Sequence, residues 1–446
     1  MKVKMEISEV EKSTIKKLSF RILPFLILCY LIAYIDRVNV GFAALTMNQE
    51  IGLTATAFGF GATLFFIAYV AFEIPSNVAM EKFGARIWIA RIMITWGIIG
   101  FCTAFVTGPT SYGIARFLMG AAEAGFFPGV LLYLTLWFPK RYMASIVASF
   151  MVAIPLSNFL GSPISALLLG LHGLFGFSGW QLLLMFEALP AVILGILCLA
   201  WLPNKPQEVK WLNAEEKNWL ANTLAHERDQ RLIAEEKEST GEKRNKIVQL
   251  LSNKYLWLFT IIYAGSSATS NILSLWMPQI LKSFHLSPME TGLLNMIPFG
   301  LAAAFMIFWG MRSDKSGDRG LNTAIPLFIT SLSLLLTLFT NSLTISLILF
   351  SLVLMGNYAI KGPFWAMVSE KMSPTIVALA IASINTLAHI GTGIMNSLMG
   401  VLKDYSGSFS VSLLPLCALT FTGAVIAFML SRKNTTLKPQ KVRVKV

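Results

Sequence analysis

The hydrophobic pattern divides the chain into long apolar runs separated by short polar segments. An α-helix rises about 1.5 Å per residue, so roughly 20 apolar residues cross the hydrocarbon of a bilayer. Twelve runs are of this order: 21–47, 58–79, 87–107, 111–137, 145–171, 180–202, 255–281, 291–311, 323–340, 344–368, 375–402 and 411–430. The pattern therefore predicts an all-α membrane protein with twelve transmembrane helices.

A polar segment separates the runs into two sets of six. The sets look like distant copies, because a short basic segment follows both the second run (MEKFGAR) and the eighth (WGMRSDKSGDRG). A duplication of six-helix halves places a binding site between them, near the membrane midplane. We therefore predict five parts: a cytoplasmic N-terminal segment at 1–20, a six-helix bundle at 21–202, a cytoplasmic linker at 203–254, a second six-helix bundle at 255–431 and a basic cytoplasmic tail at 432–446.

The linker contains one stretch with apolar residues at helical spacing, EVKWLNAEEKNWLANTL. This spacing predicts a surface helix of modest amphipathicity. Docking of the helix is one interpretation, but a solvated connector is favoured because charged linkers commonly behave in that way.

Composition agrees with a membrane protein and argues against nucleic-acid binding. Of the 446 residues, 55% are hydrophobic and 13% are charged, whereas soluble proteins average about 45–50% and about 25%. The net charge of +13 comes from Lys and Arg in alternate loops and in both tails. Positive charge marks the cytoplasmic side, so both termini are expected in the cytoplasm. The four cysteines are scattered singly, which favours core packing over a metal site or disulfides.

Four charged residues interrupt the apolar runs. Asp36 and Arg37 lie in the outer half of the first run, and Arg116 and Glu123 lie seven residues apart in the fourth. Seven residues return to nearly the same helix face, about 10 Å along the axis. A charge in the membrane costs on the order of 2.5–3.5 kcal/mol, so such residues usually face a water-filled cavity or pair with an opposite charge. We predict one shared cavity, in preference to static ion pairs that lock the helices.

Two acids beside two cations can couple a solute to protons. Burial favours the protonated form of a carboxyl, and a nearby cation favours the ionised form. An anionic solute that takes over the cation therefore changes the proton affinity of the acid. The sequence calls for no cofactor other than protons, with sodium as the alternative coupling ion.

Polar residues in later runs are further candidates. Lys361 and Trp365 are one turn apart in the tenth run, so a cation and an aromatic ring share one wall. Asn385 and His389 have the same spacing in the eleventh run. For Asn385 a cavity contact and an interhelical hydrogen bond are equally favoured. Glu187, in the sixth run, is expected to cap or pair with a cytoplasmic-side loop.

Four segments resemble the anion:cation symporters of the major facilitator superfamily. They are YIDRVNVGFAALTMNQEIGLTATAFG, RFLMGAAEAGFFPGVLLYLTLWFP, GPFWAMVSE and INTLAHIGTGIMNSLMGVLKDYSGSF. The group includes bacterial galactonate, hexuronate, tartrate and phthalate permeases and is similar to sialin-type carriers. The resemblance runs through essentially the whole chain. It implies two pseudo-repeated six-helix bundles, the bacterial inner membrane, and import of an organic anion by proton symport through alternating access.

The resemblance also implies roles for single residues. Asp36 and Glu123 match the family's protonatable acids, and Arg37 matches the cation that meets the substrate carboxylate. Arg116 matches the arginine that couples this site to proton movement. The cavity-lining positions of the family correspond to Tyr34, Trp365 and Asn385. Lys361 and His389 depart from the family pattern. A lysine where a small or neutral residue is expected leads to the hypothesis that a second cation favours a dianion.

Other functions are less favoured by the sequence. An exporter or drug:proton antiporter would share the fold and the basic loops, but a cation beside the first acid fits anionic cargo better. A transporter-like solute sensor would need a larger cytoplasmic domain than the linker offers. An enzyme is not expected, since the chain has no Gly-rich phosphate loop, no metal-spaced His or Cys set and no nucleophile with an obvious base. The expected partners are a small organic anion and the bilayer, with no nucleic acid, and the chain is expected to be a monomer.

Overall fold

The computed structural model describes residues 8–239, 246–373 and 376–432, and these residues form helices without any strand. The α-helices are α1 Glu9–Glu50, α2 Ala55–Phe83, α3 Ala85–Thr103, α4 Pro109–Glu123, α5 Phe126–Thr135, α6 Lys140–Leu169, α7 Gly179–Trp201, α8 Ala214–Ser239, α9 Lys246–Leu251, α10 Lys254–Lys282, α11 Pro288–Ser316, α12 Arg319–Leu336, α13 Leu343–Ala359, α14 Lys361–Lys371, α15 Val377–Ser406, α16 Phe409–Ser412 and α17 Leu414–Arg432. The predicted basic tail lies outside the described residues from position 433 onward.

Ten segments of the described chain are long and apolar enough to cross a membrane. Three of them, residues 109–135, 343–371 and 409–431, each combine a pair of helices, α4 with α5, α13 with α14 and α16 with α17. The helices α10 and α15 are also of spanning length, at 29 and 30 residues, but they carry several Ser, Thr and Asn side chains. These twelve segments agree with the twelve predicted from the apolar runs.

Packing divides the described residues into two units. Unit 1 contains the residues up to Leu53 and those from Leu64 to the linker helix α8. Unit 2 contains Thr54–Thr63 and the residues from Lys246 onward. The first turns of α2 therefore belong to unit 2, where the Asp404 carboxylate accepts hydrogen bonds from the backbone N–H groups of Ala55 (3.2 Å) and Thr56 (2.7 Å).

Each unit has its own hydrophobic core. In unit 1, α1 packs against α6 and α7, and α3 packs along α7. In unit 2, α10 packs along α15 and α17, and α12 packs along α17. Because α1 packs inside unit 1, Asp36 in its middle is buried and the Arg37 side chain is only 13% exposed.

The linker helix α8 docks on the N-terminal part of α1, before the first predicted span. This part begins at Glu9, where Ser8 caps the helix by accepting a hydrogen bond from the Glu11 N–H (3.2 Å). Glu216 of α8 is buried and accepts hydrogen bonds from Lys17 Nζ (2.8 Å) and Ser13 Oγ (2.7 Å). The expectation of a solvated connector is therefore wrong for this part of the linker, because α8 supplies buried contacts to unit 1.

Candidate functional site

The fourth predicted span is broken directly after Glu123. There α4 ends, and Gly125 adopts a left-handed conformation (φ 85°) before α5 begins. Pro128 has no N–H to donate to the carbonyl of Ala124, and Ser76 Oγ donates to that carbonyl instead (2.7 Å). The proline and the glycine together account for the break, since glycine adopts positive φ without steric cost.

Glu123 forms a buried ion pair with Arg37 of α1. The two side chains are 6% and 13% exposed, so both charges are largely removed from water. A carboxylate at the C-terminal end of a helix opposes the helix dipole, and the guanidinium offsets this. A buried charge that loses its partner costs several kcal/mol, so each member of the pair holds the other in place.

Aromatic rings surround the Arg37 guanidinium. Its carbon Cζ lies 4.8 Å from the ring centroid of Tyr34, 5.5 Å from that of Phe65 and 5.6 Å from that of Tyr69. Tyr34 precedes Arg37 by three residues on a continuous helix, so the two share one face of α1. The cation predicted to meet the substrate therefore lies beside the tyrosine predicted to line the cavity.

Asp36 has different neighbours, although it is adjacent to Arg37 in the sequence. It is 6% exposed, and its Oδ2 accepts a hydrogen bond from Trp96 Nε1 of α3 (2.7 Å). Its other oxygen, Oδ1, has no hydrogen-bond partner among the residues that the structure describes. Successive residues of a helix are about 100° apart, which directs the two charges to different partners.

Arg116 of α4 lies close to the Arg37–Glu123 ion pair and to Asp36. Its Cζ is 4.9 Å from the ring of Phe65, the same ring that Arg37 approaches. It also lines, with Asp36, Asn39 and other side chains, a small cavity of about 10 Å³, which is about the volume that one water needs. Unit 1 thus brings the four predicted charges together as one ion pair and one water-sized cavity, rather than around an open chamber.

The tenth predicted span, in unit 2, is interrupted at Ile360. The backbone there stays helical (φ −74°, ψ −17°), and Pro363 lacks the N–H that would reach the carbonyl of Ala359. The next helix, α14, begins with Lys361, which is buried and has its Nζ 5.0 Å from the ring centroid of Tyr263. No carboxylate of the described chain pairs with this lysine.

The other predicted residues of unit 2 are half-buried. The Trp365 ring lies 4.7 Å from that of Tyr263, so Trp365 and Lys361 approach the same aromatic side chain. Asn385 of α15 makes no hydrogen bond with the described residues, and His389 follows one turn later. The structure therefore joins Lys361 to Trp365 and leaves Asn385 as a half-buried amide on a neighbouring helix.

Hydrogen bonds between α10 and α15 form a polar ladder that sequence reasoning missed. Thr392 donates to Ser267 (3.0 Å), and Asn396 Nδ2 donates to Asn271 Oδ1 (2.9 Å). Both pairs repeat every four residues, so each set lies on one helix face. That repeat was available in the sequence as a signal for interhelical contact.

Glu187 of α7 also belongs to the interior of unit 1. It is 5% exposed, and its Oε1 accepts a hydrogen bond from Ser165 Oγ of α6 (2.7 Å). The expectation that Glu187 pairs with a cytoplasmic-side loop is wrong, because Ser165 of α6 donates a hydrogen bond to it and the Asn39 amide of α1 lies beside it. A lone acid in an otherwise apolar run was the available signal.

Comparisons with known proteins agree with this architecture. The family model described as Major Facilitator Superfamily matches residues 26–396. The chain is similar to a putative tartrate transporter of Agrobacterium vitis (42% identical over 427 residues, 96% of this chain and 93% of the relative). It is also similar to a quinolone resistance transporter of Acinetobacter baumannii (33% identical over 437 residues, 98% and 99%).

A solved structure shares the fold. It is a bacterial homologue of the human lysosomal transporter Spinster in an inward-facing and occupied conformation, with a TM-score of 0.70 and 16% identity over 94% of this chain and 98% of that one. At this identity the likeness shows the fold alone. The predicted all-α fold, with twelve transmembrane helices in two pseudo-repeated bundles, is confirmed.

Proposed function

The chain belongs to the major facilitator superfamily, and from that premise we propose that it imports a small organic anion by proton symport through alternating access. It is a multi-pass membrane transporter and not an enzyme. An organic anion is the cargo class that the name of the tartrate relative supports. Coupling to protons is supported by the buried acids and cations of unit 1.

The buried ion pair between Arg37 and Glu123 is the observation that carries this proposal. A substrate carboxylate that binds the Arg37 guanidinium competes directly with Glu123, because both need the same N–H donors. The displaced Glu123 would then be a buried charge without a partner, which is costly. A proton that neutralises Glu123 removes this cost, so substrate and proton bind together and leave together.

Asp36 and Arg116 are proposed as the second part of the coupling device. Asp36 is bonded to Trp96 through one oxygen only. In this proposal Asp36 carries a proton. A water molecule in the small cavity that Asp36 lines with Arg116 exchanges the proton with the Asp36 carboxyl. The Arg116 charge lowers the affinity of Asp36 for that proton, and by how much depends on whether Glu123 is ionised.

Lys361 supports a substrate with two carboxylates. It is a buried cation that lacks a carboxylate partner in the described chain, unlike Arg37. A dicarboxylate brings a second negative charge, which an uncompensated lysine favours. Tartrate, the substrate in the name of the Agrobacterium relative, is a dicarboxylate.

The direct test uses purified protein in proteoliposomes with a pH electrode in the outer medium. A panel of sugar acids and dicarboxylates is added one compound at a time. Proton symport predicts that at least one compound makes the outer medium more alkaline as it enters. Uptake without a pH change, dependent instead on a sodium gradient, would contradict proton coupling.

The matched variant for this test is Glu123→Gln. The amide cannot exchange a proton, but it keeps the size of the side chain. We expect exchange of labelled substrate across the membrane to persist and alkalinisation to be lost. Retention of full alkalinisation in this variant would contradict the assigned role of Glu123.

A second candidate function is proton-driven export, which the quinolone resistance relative favours. Export and import predict opposite behaviour in oriented vesicles. We expect proton-driven accumulation of an organic anion in right-side-out vesicles. Accumulation in everted vesicles only, with a quinolone as cargo, would support the exporter.

We also propose a bacterial inner-membrane location with both termini in the cytoplasm. Basic residues flank the predicted cytoplasmic loops: Lys82 and Arg86 lie on either side of the α2–α3 junction, and Lys315 and Arg319 on either side of the α11–α12 junction. The excess of Lys and Arg sets orientation. Reporter fusions after residue 432 that are active only in the periplasm would contradict this orientation.

A further inference from the structure

Glu187 is a buried carboxyl with only one of its two oxygens bonded. Ser165 donates a hydrogen bond to Oε1 (2.7 Å). The second oxygen, Oε2, has no hydrogen-bond partner in the described chain. Buried polar atoms are rarely left unpartnered, so each one calls for an explanation.

Asp36 presents the same arrangement from the facing helix. One of its oxygens accepts a hydrogen bond from Trp96, and the other has no partner among the described residues. Asn39 lies one turn after Asp36 on α1, and its amide lies beside Glu187. Asp36 and Asn39 also line the same small cavity. Unit 1 therefore holds two buried carboxyls near one asparagine amide, each with one oxygen that has no hydrogen-bond partner in the described chain.

The charged groups near Glu187 come from α1 and α4. Asp36 of α1 lies close enough to Glu187 and Glu123 to interact electrostatically with both. From α4, Arg116 lines the small cavity next to Asp36 and Leu184, and Leu184 is one turn before Glu187 on α7. The helices α3 and α6 present only uncharged partners here, Trp96 and Ser165. Neither carboxyl has a bonded cation in the part of the chain that the structure describes.

Two carboxylates in one buried cluster repel each other when both are ionised. A proton on either one removes the repulsion and the cost of a buried charge without a counter-ion. The Arg37–Glu123 pair has no such need, because its charges cancel. Within unit 1, Asp36 and Glu187 are therefore suited to bind a proton, and the Arg37–Glu123 pair is suited to bind an anion.

We propose that Glu187 is a proton-binding residue of the transport cycle, and that it shares a proton with Asp36 across the Asn39 amide and the neighbouring water-sized cavity. This inference rests on the proposed proton symport. The shared proton leaves an oxygen of one carboxyl as it binds an oxygen of the other, so the pair keeps one negative charge at each transfer. Release of that proton to the cytoplasm then requires both acids.

The test compares wild type with Glu187→Gln in proteoliposomes. Glutamine keeps the acceptor for Ser165 and removes the titratable group. We expect loss of proton-driven accumulation and a flattened dependence of uptake on pH, while exchange of labelled substrate is retained. A merely structural role would reduce accumulation and exchange together and leave the pH dependence of the remaining uptake unchanged, which would overturn the proposal.

Two further variants keep the test decisive. Ser165→Ala removes the hydrogen bond and keeps the carboxyl, so proton coupling should survive. Glu187→Asp keeps a carboxyl, so it should accumulate more substrate than Glu187→Gln and show a shifted dependence of uptake on pH. This variant also tests the proposal if Glu187→Gln does not fold. An unshifted profile in Glu187→Asp would overturn the proposal.

The wild-type measurement separates this inference from the proposed function. If wild type moves substrate without protons, the proposed symport itself fails. If wild type moves protons with substrate and Glu187→Gln moves the same number per substrate, only the role of Glu187 fails.

Discussion

Two interrupted spans, α4 with α5 in unit 1 and α13 with α14 in unit 2, differ in the partners of the charged residue at the interruption. Each has a proline near the interruption and a charged residue beside it, Glu123 in one and Lys361 in the other. Glu123 is paired inside its own unit, whereas Lys361 has an aromatic neighbour and no carboxylate in the described chain. The spans are six apart in the predicted order, so they occupy corresponding places in the two bundles.

This difference indicates a division of tasks. A compensated pair such as Arg37 with Glu123 can exchange one partner for a substrate carboxylate and a proton. A cation without an internal counter-charge, such as Lys361, gains most when the substrate itself brings the negative charge. Under the proposed function, unit 1 is therefore suited to coupling substrate to protons, and unit 2 to selecting the charge of the substrate.

The largest expected effect comes from Arg37→Gln. Removing one partner of a buried ion pair costs on the order of 3–5 kcal/mol, and the substrate also loses its proposed carboxylate ligand. We expect substrate uptake to fall by roughly 100-fold or more and the midpoint of thermal unfolding to drop. Uptake of labelled substrate and thermal unfolding in detergent measure the two effects separately.

Two controls sharpen this result. The double variant Arg37→Gln with Glu123→Gln removes both charges, so it should regain thermal stability but not uptake. Arg91→Gln changes an exposed arginine of α3 that lies over Trp88, and it should leave uptake near wild type. Wild-type uptake by Arg37→Gln would contradict the division of tasks for unit 1.

The next effect in size is expected for Lys361→Met. Methionine fills the space beside Tyr263 and removes the cation. A hydrogen bond to a charged group contributes about 1.5–3 kcal/mol, so the KM for a dicarboxylate should rise roughly 10- to 100-fold. Uptake of a monocarboxylate should change much less. Competition assays with matched mono- and dicarboxylates measure the ratio.

Lys371→Met is the matched control, because Lys371 ends the same helix, α14, that Lys361 begins. We expect no change in the preference between mono- and dicarboxylates. Equal losses for both substrate classes in Lys361→Met would show that this lysine does not read the charge of the substrate.

The sequence was sufficient for most of the fold and for part of the site. Apolar runs of spanning length predicted the helices, and charges inside those runs singled out Asp36, Arg37, Arg116 and Glu123. The segment GFFPG also contained the glycine and the proline of the α4–α5 break. These features are local, so one sequence is enough to read them.

The remaining features depend on contacts between distant residues. Glu187 was assigned to a loop contact because nothing in its own run points to Ser165 on another helix. The linker was expected to be solvated because charged linkers commonly behave in that way, yet Glu216 is buried and bonded to Lys17, which is 199 residues away in the chain. Hydrophobic periodicity indicates which face of a helix is apolar, but not which element covers it.

Gly125→Ala against Gly362→Ala tests the difference between the two interruptions at the level of the backbone. Gly125 has φ 85°, and an added Cβ would lie 2.3 Å from Ser76 Oγ. A strained backbone of this kind costs on the order of 1–3 kcal/mol, so Gly125→Ala should lower the thermal unfolding midpoint and the uptake rate. Gly362 has open space around its Cα, so Gly362→Ala should be neutral. Equal destabilisation would show that both interruptions need glycine.

The smallest effect is expected at the surface of unit 1, where Glu216 holds α8 on α1. Burial alone raises the pKa of this carboxyl, but hydrogen bonds from Lys17, Ser13 and the Asn213 backbone outweigh it, so the pKa is lowered from its usual 4.5. The docking contribution of Glu216 is therefore present at neutral pH and is lost as the pH falls below 4.5 through the lowered pKa. Glu216→Gln should reproduce the low-pH state at neutral pH.

Amide hydrogen exchange of α8 measures this effect in the full-length protein. We expect faster exchange in α8 for Glu216→Gln, while Glu215→Gln, which changes the exposed neighbouring acid, stays at the wild-type rate. In unit 2, Asp404→Asn provides the comparison, because Asp404 bonds the first turn of α2 and should affect exchange there but not in α8. Equal exchange of α8 in the Glu216 and Glu215 variants would mean that apolar packing alone holds α8 on α1. The Glu216–Lys17 contact would then make no contribution to docking.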